Sequence, residues 1–292
     1  MNITPWWYAV RPKTLSMSVV PVVLGTVIAG SEGGRFQLPL FLSILAAALL
    51  IQIGTNLYND AGDALRGADG PDRLGPKRAV AEGWLEIREV QRMALGCFLL
   101  AVAIGGYLVQ VGGLPILLIG LFSVIAGISY TAGRLPIAYT GLGELFVFLF
   151  FGLLAVGGTA WLMHPAWSMT AGWLGSAIGL IAAAVLMVNN YRDMDTDRPA
   201  GKITLAIRLG REKSRRLYLG LLLLPFLPVL GVAYQLQKPG LIGVMLPALL
   251  MAIYLGRSIY RQPHGDGLNR LLVQTAQLQL LFAVLVIAGL NL

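Results

Sequence analysis

The sequence predicts an all-α integral membrane protein, and three observations carry that expectation. Hydrophobic residues make up 57% of the 292 and charged residues only 12%, against about 45–50% and about 25% in soluble domains. Nine apolar stretches approach the ~20 residues that a helix needs to cross a bilayer: 14–30, 38–58, 92–110, 114–132, 141–162, 171–191, 215–235, 240–257 and 271–290. With the N-terminus on the cytoplasmic side, nearly all of the 22 Lys and Arg fall there, and only Arg35 and Lys238 lie opposite. That asymmetry is what the positive-inside rule requires. One span more or fewer would scramble it, so the expected topology is nine transmembrane helices, N-terminus cytoplasmic and C-terminus outside, forming one transmembrane domain over 1–292.

Taken in order, the first run follows Arg11-Pro12-Lys13. It lacks a small-residue cleavage site and reads as an uncleaved helix. The second ends in a polar cluster, and the third and fourth are separated only by residues 111–114. The fifth opens with Gly141-Leu142-Gly143-Glu144. Trp161, Trp167 and Trp173 surround the next outer loop, as an interfacial aromatic belt does. The sixth run again ends in a polar cluster. Pro21, Pro225 and Pro228 fall inside expected spans, where membrane helices tolerate kinks. Two long polar segments, 59–91 and 192–214, both lie on the cytoplasmic side, and no segment reads as a separate soluble domain.

The net charge of +8 follows from this topology and argues against a nucleic-acid partner. The basic face suits the lipid bilayer's anionic headgroups or an anionic substrate. A single cysteine, Cys97, cannot form an internal disulfide and sits in an apolar run, which reads as packing.

The chemistry concentrates where two apolar runs end. Asn56-Leu57-Tyr58-Asn59-Asp60-Ala61-Gly62-Asp63 closes one, and Asn189-Asn190-Tyr191-Arg192-Asp193-Met194-Asp195-Thr196-Asp197 closes the other. Carboxylates near a span are costly, roughly 2.5–3.5 kcal/mol each at a helix centre and less at the interface. Finding them twice in matching positions marks a functional site. Residues four apart share a helix face, which pairs Asn59 with Asp63, Asn56 with Asp60, and Asp193 with Asp197. Such hard oxygen sets suit Mg²⁺, which takes one or two carboxylates and completes its shell with water and phosphate oxygens. Lys77, Arg78, Arg192, Lys202 and Arg208 stand near in sequence to bind remaining phosphate charge. Acid pairs with flanking cations at a membrane surface thus indicate a diphosphate with Mg²⁺. Glu144 at the start of the fifth span, and Tyr130 and Arg134 at the end of the fourth, fit either interfacial anchoring or a substrate contact.

Other chemistries find little support. His164 and His264 fall on opposite sides, no phosphate-binding loop of the Walker type is present, and Gly141-Leu142-Gly143 lacks the third glycine of a dinucleotide site. A cation-coupled transporter also places carboxylates within a membrane, but it needs a path across, and these acids cluster on one side.

At these residues the chain resembles the UbiA superfamily of intramembrane prenyltransferases. Asn59-Asp60-Ala61-Gly62-Asp63 matches that family's Asn-Asp-x-x-Asp motif, and Asp193-Met194-Asp195-Thr196-Asp197 its Asp-x-x-x-Asp motif. One departure is Gly67, where many members carry a further Asp; Asp69 and Asp72 stand nearby as substitutes. Longer strings are similar to the 1,4-dihydroxy-2-naphthoate polyprenyltransferase branch: Arg11-Pro12-Lys13-Thr14, the stretch 55–63 continuing to 71–76, Gly141-Leu142-Gly143-Glu144, and 197–204. The resemblance implies nine helices around a central cytoplasm-facing cavity in a bacterial cytoplasmic (inner) membrane. It implies Mg²⁺ held by Asn59, Asp63, Asp193 and Asp197, with Asp63, Asp193, Asp197 and Lys202 as the catalytic set. It also implies a polyprenyl diphosphate donor contacted by Lys77, Arg78 and Arg192. The aromatic acceptor is 1,4-dihydroxy-2-naphthoate, or another ring such as 4-hydroxybenzoate, with Arg11 or Arg134 as partner for its carboxylate. Asn56, Asp60, Tyr130 and Glu144 complete the expected substrate-binding set.

Overall fold

The computed structural model describes residues 3–67, 74–261 and 265–292. Asp69, Asp72 and His264 lie outside these described residues, and among the described residues all regular structure is helical. The elements are α1 (Ile3–Val10), α2 (Ser16–Ser31), α3 (Leu38–Leu65), α4 (Ile87–Ser129), α5 (Gly143–Phe148), α6 (Leu154–Met163), α7 (Met169–Arg192), α8 (Met194–Asp197), α9 (Leu205–Leu223), α10 (Phe226–Gln235), α11 (Gly240–Val244), α12 (Leu246–Arg261) and α13 (Asp266–Leu290). A single π turn, Leu149–Leu153, joins α5 to α6.

Among the described residues six helical segments are long and apolar enough to cross a membrane, or seven if the bent pair at the N-terminus is one span. The expected nine is not reached by that measure, for two reasons. First, α4 has 43 residues, about 65 Å at 1.5 Å per residue, twice the ~30 Å hydrocarbon core. Gly113 breaks it with φ 69° and ψ −154°. Its halves fold back on each other: a Cβ added to Gly127 would lie 3.2 Å from the Phe98 ring on the other side of the break. This hairpin covers the expected stretches 92–110 and 114–132. Second, α12 has only 16 residues.

Helix ends follow local chemistry. Pro39 occupies the first turn of α3, where a missing N–H removes no intrahelical bond. After Arg66, Gly67 takes φ +67° and closes the helix in the left-handed conformation usual for such ends. Glu86 and Glu89 form a reciprocal capping box at the start of α4. Thr204 caps α9 by accepting the Ile207 N–H at 3.4 Å, setting the chain direction just after Lys202.

The bundle is organised around α7. In its most apolar window 72% of residues are buried, against 17% in α4. The π turn meets α7 through glycine: a Cβ on Gly179 would sit 2.4 Å from the Phe148 carbonyl oxygen, and one on Gly152 2.5 Å from that of Gly175. Small residues let membrane helices approach this closely. Gln52, buried in α3, donates to the Thr14 carbonyl at 2.7 Å and accepts from Ser18, tying α2 to α3. The helices that end in the two acidic clusters are therefore held at fixed depth.

Candidate active site

The first acidic cluster lies in the last two turns of α3, and the helix runs through it unbroken, so its residues divide by face. Asn59, Asp60 and Asp63 are all buried. On one face, Asp63 accepts the Tyr139 hydroxyl at 3.2 Å and lies 3.5 Å from the Arg78 guanidinium. Asn59 Oδ1 on that face accepts from Thr131 at 2.9 Å. On the other face, Asn56 donates to the Val10 carbonyl at 3.0 Å and Asp60 accepts the Ala79 N–H at 3.2 Å. Asn56 thus holds the chain beside Arg11, and Asp60 holds the chain beside Arg78. Both support residues that carry charge rather than presenting their own.

The second cluster is built differently. Helix α7 ends at Arg192, Asp193 caps it with φ −91° and ψ 7°, and a new turn, α8, carries Asp197. The Asp197 N–H donates to the Asp193 carbonyl at 2.7 Å, so the two acids still share one side. Arg192 is buried and grips the neighbouring Asp193 with two hydrogen bonds of 2.7 Å. Its guanidinium also donates to Asn269 at 2.8 Å and to Asn189 at 2.9 Å. Four of the five donor hydrogens of that group are therefore committed inside the protein. Lys202, buried, lies 3.3 Å from Asp197 Oδ1, while Oδ2 of Asp197 has no hydrogen-bond partner among the described residues.

Electrostatics join the two clusters. Burial, opposed by Lys202 and reinforced by Asp193 and Asp63, pushes the Asp197 carboxyl up to about 6. Burial pulls the Lys202 ammonium down, but Asp63, Asp197 and Asp193 together outweigh it and leave the net shift upward. The field of both clusters, from α3 as well as from α8, thus acts on Lys202. Burial and the Asp63 charge push the Tyr139 phenol up, which keeps its hydroxyl a donor. Tyr130 lies within electrostatic reach of Glu144, Asp63, Arg11 and Asp197. Glu144 itself is buried and accepts from Asn190 of α7 at 2.9 Å.

The structure brings together Arg11, Asn59, Asp63, Arg78, Tyr130, Glu144, Asp193, Asp197 and Lys202. It turns others away. Lys77 is exposed, pairs with Glu82 at 3.0 Å and lies over the Trp84 ring. Arg134 is exposed, and Arg192 serves Asp193 instead of an open phosphate position. Arg208, also exposed, lies against the Gly141 turn, its Nε 2.9 Å from where a Cβ on Gly141 would sit. Tyr139, Thr131 and Asn269 were not singled out from the sequence, because a hydroxyl or amide in a loop or helix end carries no spacing signal. Only the packing of their elements brings them to the acids.

Among the described residues no three acid, histidine or cysteine side chains close around a single point as a metal cage. Mg²⁺ does not need one, because it keeps waters and phosphate oxygens in its shell. The open Oδ2 of Asp197 and the oxygens of Asn59, Asp63 and Asp193 are donors of the right hardness, so the residues fit the ion.

Residues 18–290 match the UbiA prenyltransferase family. The chain belongs to that family. This UbiA-family chain is 35% identical over 295 residues to the 1,4-dihydroxy-2-naphthoate octaprenyltransferase of Escherichia coli, covering 97% of itself and 94% of that relative. It is 32% identical to UbiA prenyltransferase domain-containing protein 1 of Xenopus tropicalis, covering 96% of itself and 80% of the relative. Its fold matches that of a UbiA homolog from Archaeoglobus fulgidus bound to DMAPP and Mg²⁺, with a TM-score of 0.70 over 98% of this chain and 99% of the other at 16% identity. It is therefore a multi-pass membrane protein of the UbiA fold.

Proposed function

We propose that this protein transfers a polyprenyl group from polyprenyl diphosphate to 1,4-dihydroxy-2-naphthoate, releasing diphosphate and CO₂ and yielding demethylmenaquinol, the hydroquinone form of demethylmenaquinone. The observation that carries the reading is a buried acid paired with a buried cation at each of the two motif ends, Asp63 with Arg78 at 3.5 Å and Asp197 with Lys202 at 3.3 Å. Relatives named for the naphthoate reaction, with near-complete mutual coverage, supply the acceptor. The whole of residues 1–292 serves as one prenyltransferase domain in a bacterial cytoplasmic membrane, with the acidic clusters and the N-terminus on the cytoplasmic side and the C-terminus outside.

Asn59, Asp63, Asp193 and Asp197 would hold Mg²⁺, which when bound would supply Lewis-acid stabilisation of the departing diphosphate. The chain's own cations do the rest of that work. Lys202 and Arg78, already drawn in by carboxylates, offer fixed positive charge to the phosphate oxygens as the allylic C–O bond ionises, and such preorganised charge lowers the barrier directly. Arg192 holds Asp193 in place.

The test uses purified protein in detergent with labelled prenyl diphosphate and carboxyl-labelled 1,4-dihydroxy-2-naphthoate, with and without EDTA. Metal-dependent prenylated product with matching CO₂ release is the expected result. Coupling to 4-hydroxybenzoate alone, with its carboxylate retained, would replace the acceptor while keeping the prenyl transfer. No product with either ring would remove the transferase reading.

A further inference from the structure

Glu144 is a buried carboxylate that the metal and diphosphate chemistry does not use. It is 5% exposed. Asn190 satisfies Oε1 at 2.9 Å, and Oε2 is buried with no hydrogen-bond partner among the described residues. Asn190 stands on α7 one turn before Asp193, so the same helix end positions both groups. Tyr130 stands beside Glu144: its hydroxyl lies 3.3 Å from where a Cβ on Gly143, the preceding residue, would sit, and the charges of Glu144, Asp63, Asp197 and Arg11 all act on its phenol. An acceptor ring held against Tyr130 would lie next to Glu144. A buried acceptor oxygen lacking a donor is unfavourable, and a hydroxyl on that ring would supply the donor.

We propose that Glu144 takes the proton from the acceptor hydroxyl adjacent to the reacting carbon and later returns it to the same oxygen. This rests on the naphthoate reading above. The ring carbon that bears the carboxylate attacks the allyl cation, and the electron pair of the broken C–O bond leaves with the diphosphate. As the new C–C bond forms, the neighbouring O–H gives its proton to Glu144 Oε2 and its bonding pair completes a carbonyl. The product of that step is a β-keto carboxylate. Its C–CO₂⁻ bond then breaks, CO₂ departs, and the electron pair passes through the ring to the oxygen, which takes the proton back from Glu144. No proton is consumed overall, and the carboxylate is reset for the next turnover. Asn190 keeps Oε1 occupied, so that Oε2 alone faces the substrate. The competing reading is an acid that only favours the start of α5, where Glu144 occupies the first turn.

The Glu144→Gln variant separates the two readings, because its amide oxygen still accepts from Asn190. In the assay above, kcat for both prenylated product and CO₂ should fall by on the order of 10²-fold, as for loss of a general base. Mg²⁺-dependent binding of prenyl diphosphate and the naphthoate KM should hold within a few-fold, roughly the size of a lost neutral hydrogen bond. Wild-type kcat in this variant, or a loss confined to thermal stability, overturns the proposal. Should Glu144→Gln not fold, Glu144→Asp carries the test: a kcat lowered about tenfold with donor binding intact supports the proton role, and an unchanged kcat removes it. Wild-type protein runs in parallel. If the wild type fails to release CO₂ from the naphthoate, the acceptor assignment fails; if it succeeds and Glu144→Gln matches it, only the role of Glu144 fails.

Discussion

The two acidic clusters carry similar charge but are restrained in different ways. At the end of α3 the motif stays inside a continuous helix, and its cation, Arg78, comes from the following loop at 3.5 Å. At the end of α7 the helix breaks at Asp193, and the cations are nearby: Arg192 as a two-bond fork of 2.7 Å and Lys202 at 3.3 Å. The α7 cluster is thus assembled from its own sequence neighbourhood. The α3 cluster needs the hairpin α4 and the turn holding Tyr139 to complete it. The second cluster is the fixed half of the site, and the first depends on how its neighbours dock.

The sharpest way to break this comparison is to remove one acid from each side. Asp63→Ala and Asp197→Ala should each lower turnover by on the order of 10²-fold or more, with membrane insertion unchanged in fractionation. Wild-type rates in both would remove the metal and diphosphate chemistry from the site. Next in size, Arg192→Lys keeps the charge but loses the fork on Asp193. A supporting-group loss of about 10-fold or more in Mg²⁺ affinity is expected, read by titrating the metal in the transferase assay. An unaltered Mg²⁺ requirement would mean that Asp193 needs no such restraint.

A smaller effect is expected with pH. Because the folded-state Asp197 carboxyl is raised to about 6, its contribution to the stability of the metal-free protein is present at low pH and lost as pH rises through that value. Above it, a buried charge is left for the cation to balance. Added Mg²⁺ should therefore raise the melting temperature more at about pH 7.5 than at about pH 5, and equal shifts at both would count against Asp197 as a ligand. The smallest effects are expected at Asp195→Ala and Lys77→Ala. Asp195 has a side chain 70% exposed and paired with Arg211, and Lys77 one 61% exposed and paired with Glu82. Both should stay within a few-fold of wild-type turnover, since exposed pairs contribute roughly 0–1 kcal/mol. A loss at Asp195 equal to that at Asp197 would show that the two faces of the second cluster are not distinct.

Membrane class and the all-helical fold could both be read from residues in order. Apolar length and basic asymmetry are properties of the chain that hold before any packing. The spacing that puts Asn59 with Asp63 needs only the helix period, and the same spacing held for Asp193 and Asp197 even though a new turn intervenes there. What residue order could not assign was which cation does which work. Lys77 and Arg78 are adjacent and equally basic, yet Arg78 is buried against Asp63 and Lys77 faces outward. Arg192 looked like a phosphate ligand until its partners on α7 and α13 were visible. Likewise Tyr139, Thr131 and Asn269 join the site through contacts between distant elements. The sequence by itself determined that the chain spans a membrane and ends two helices in acid, because hydropathy and helical period are local. Only the tertiary structure decided which cations meet those acids and that one Glu144 oxygen has no hydrogen-bond partner among the described residues, because burial and long-range hydrogen bonding depend on how the helices pack.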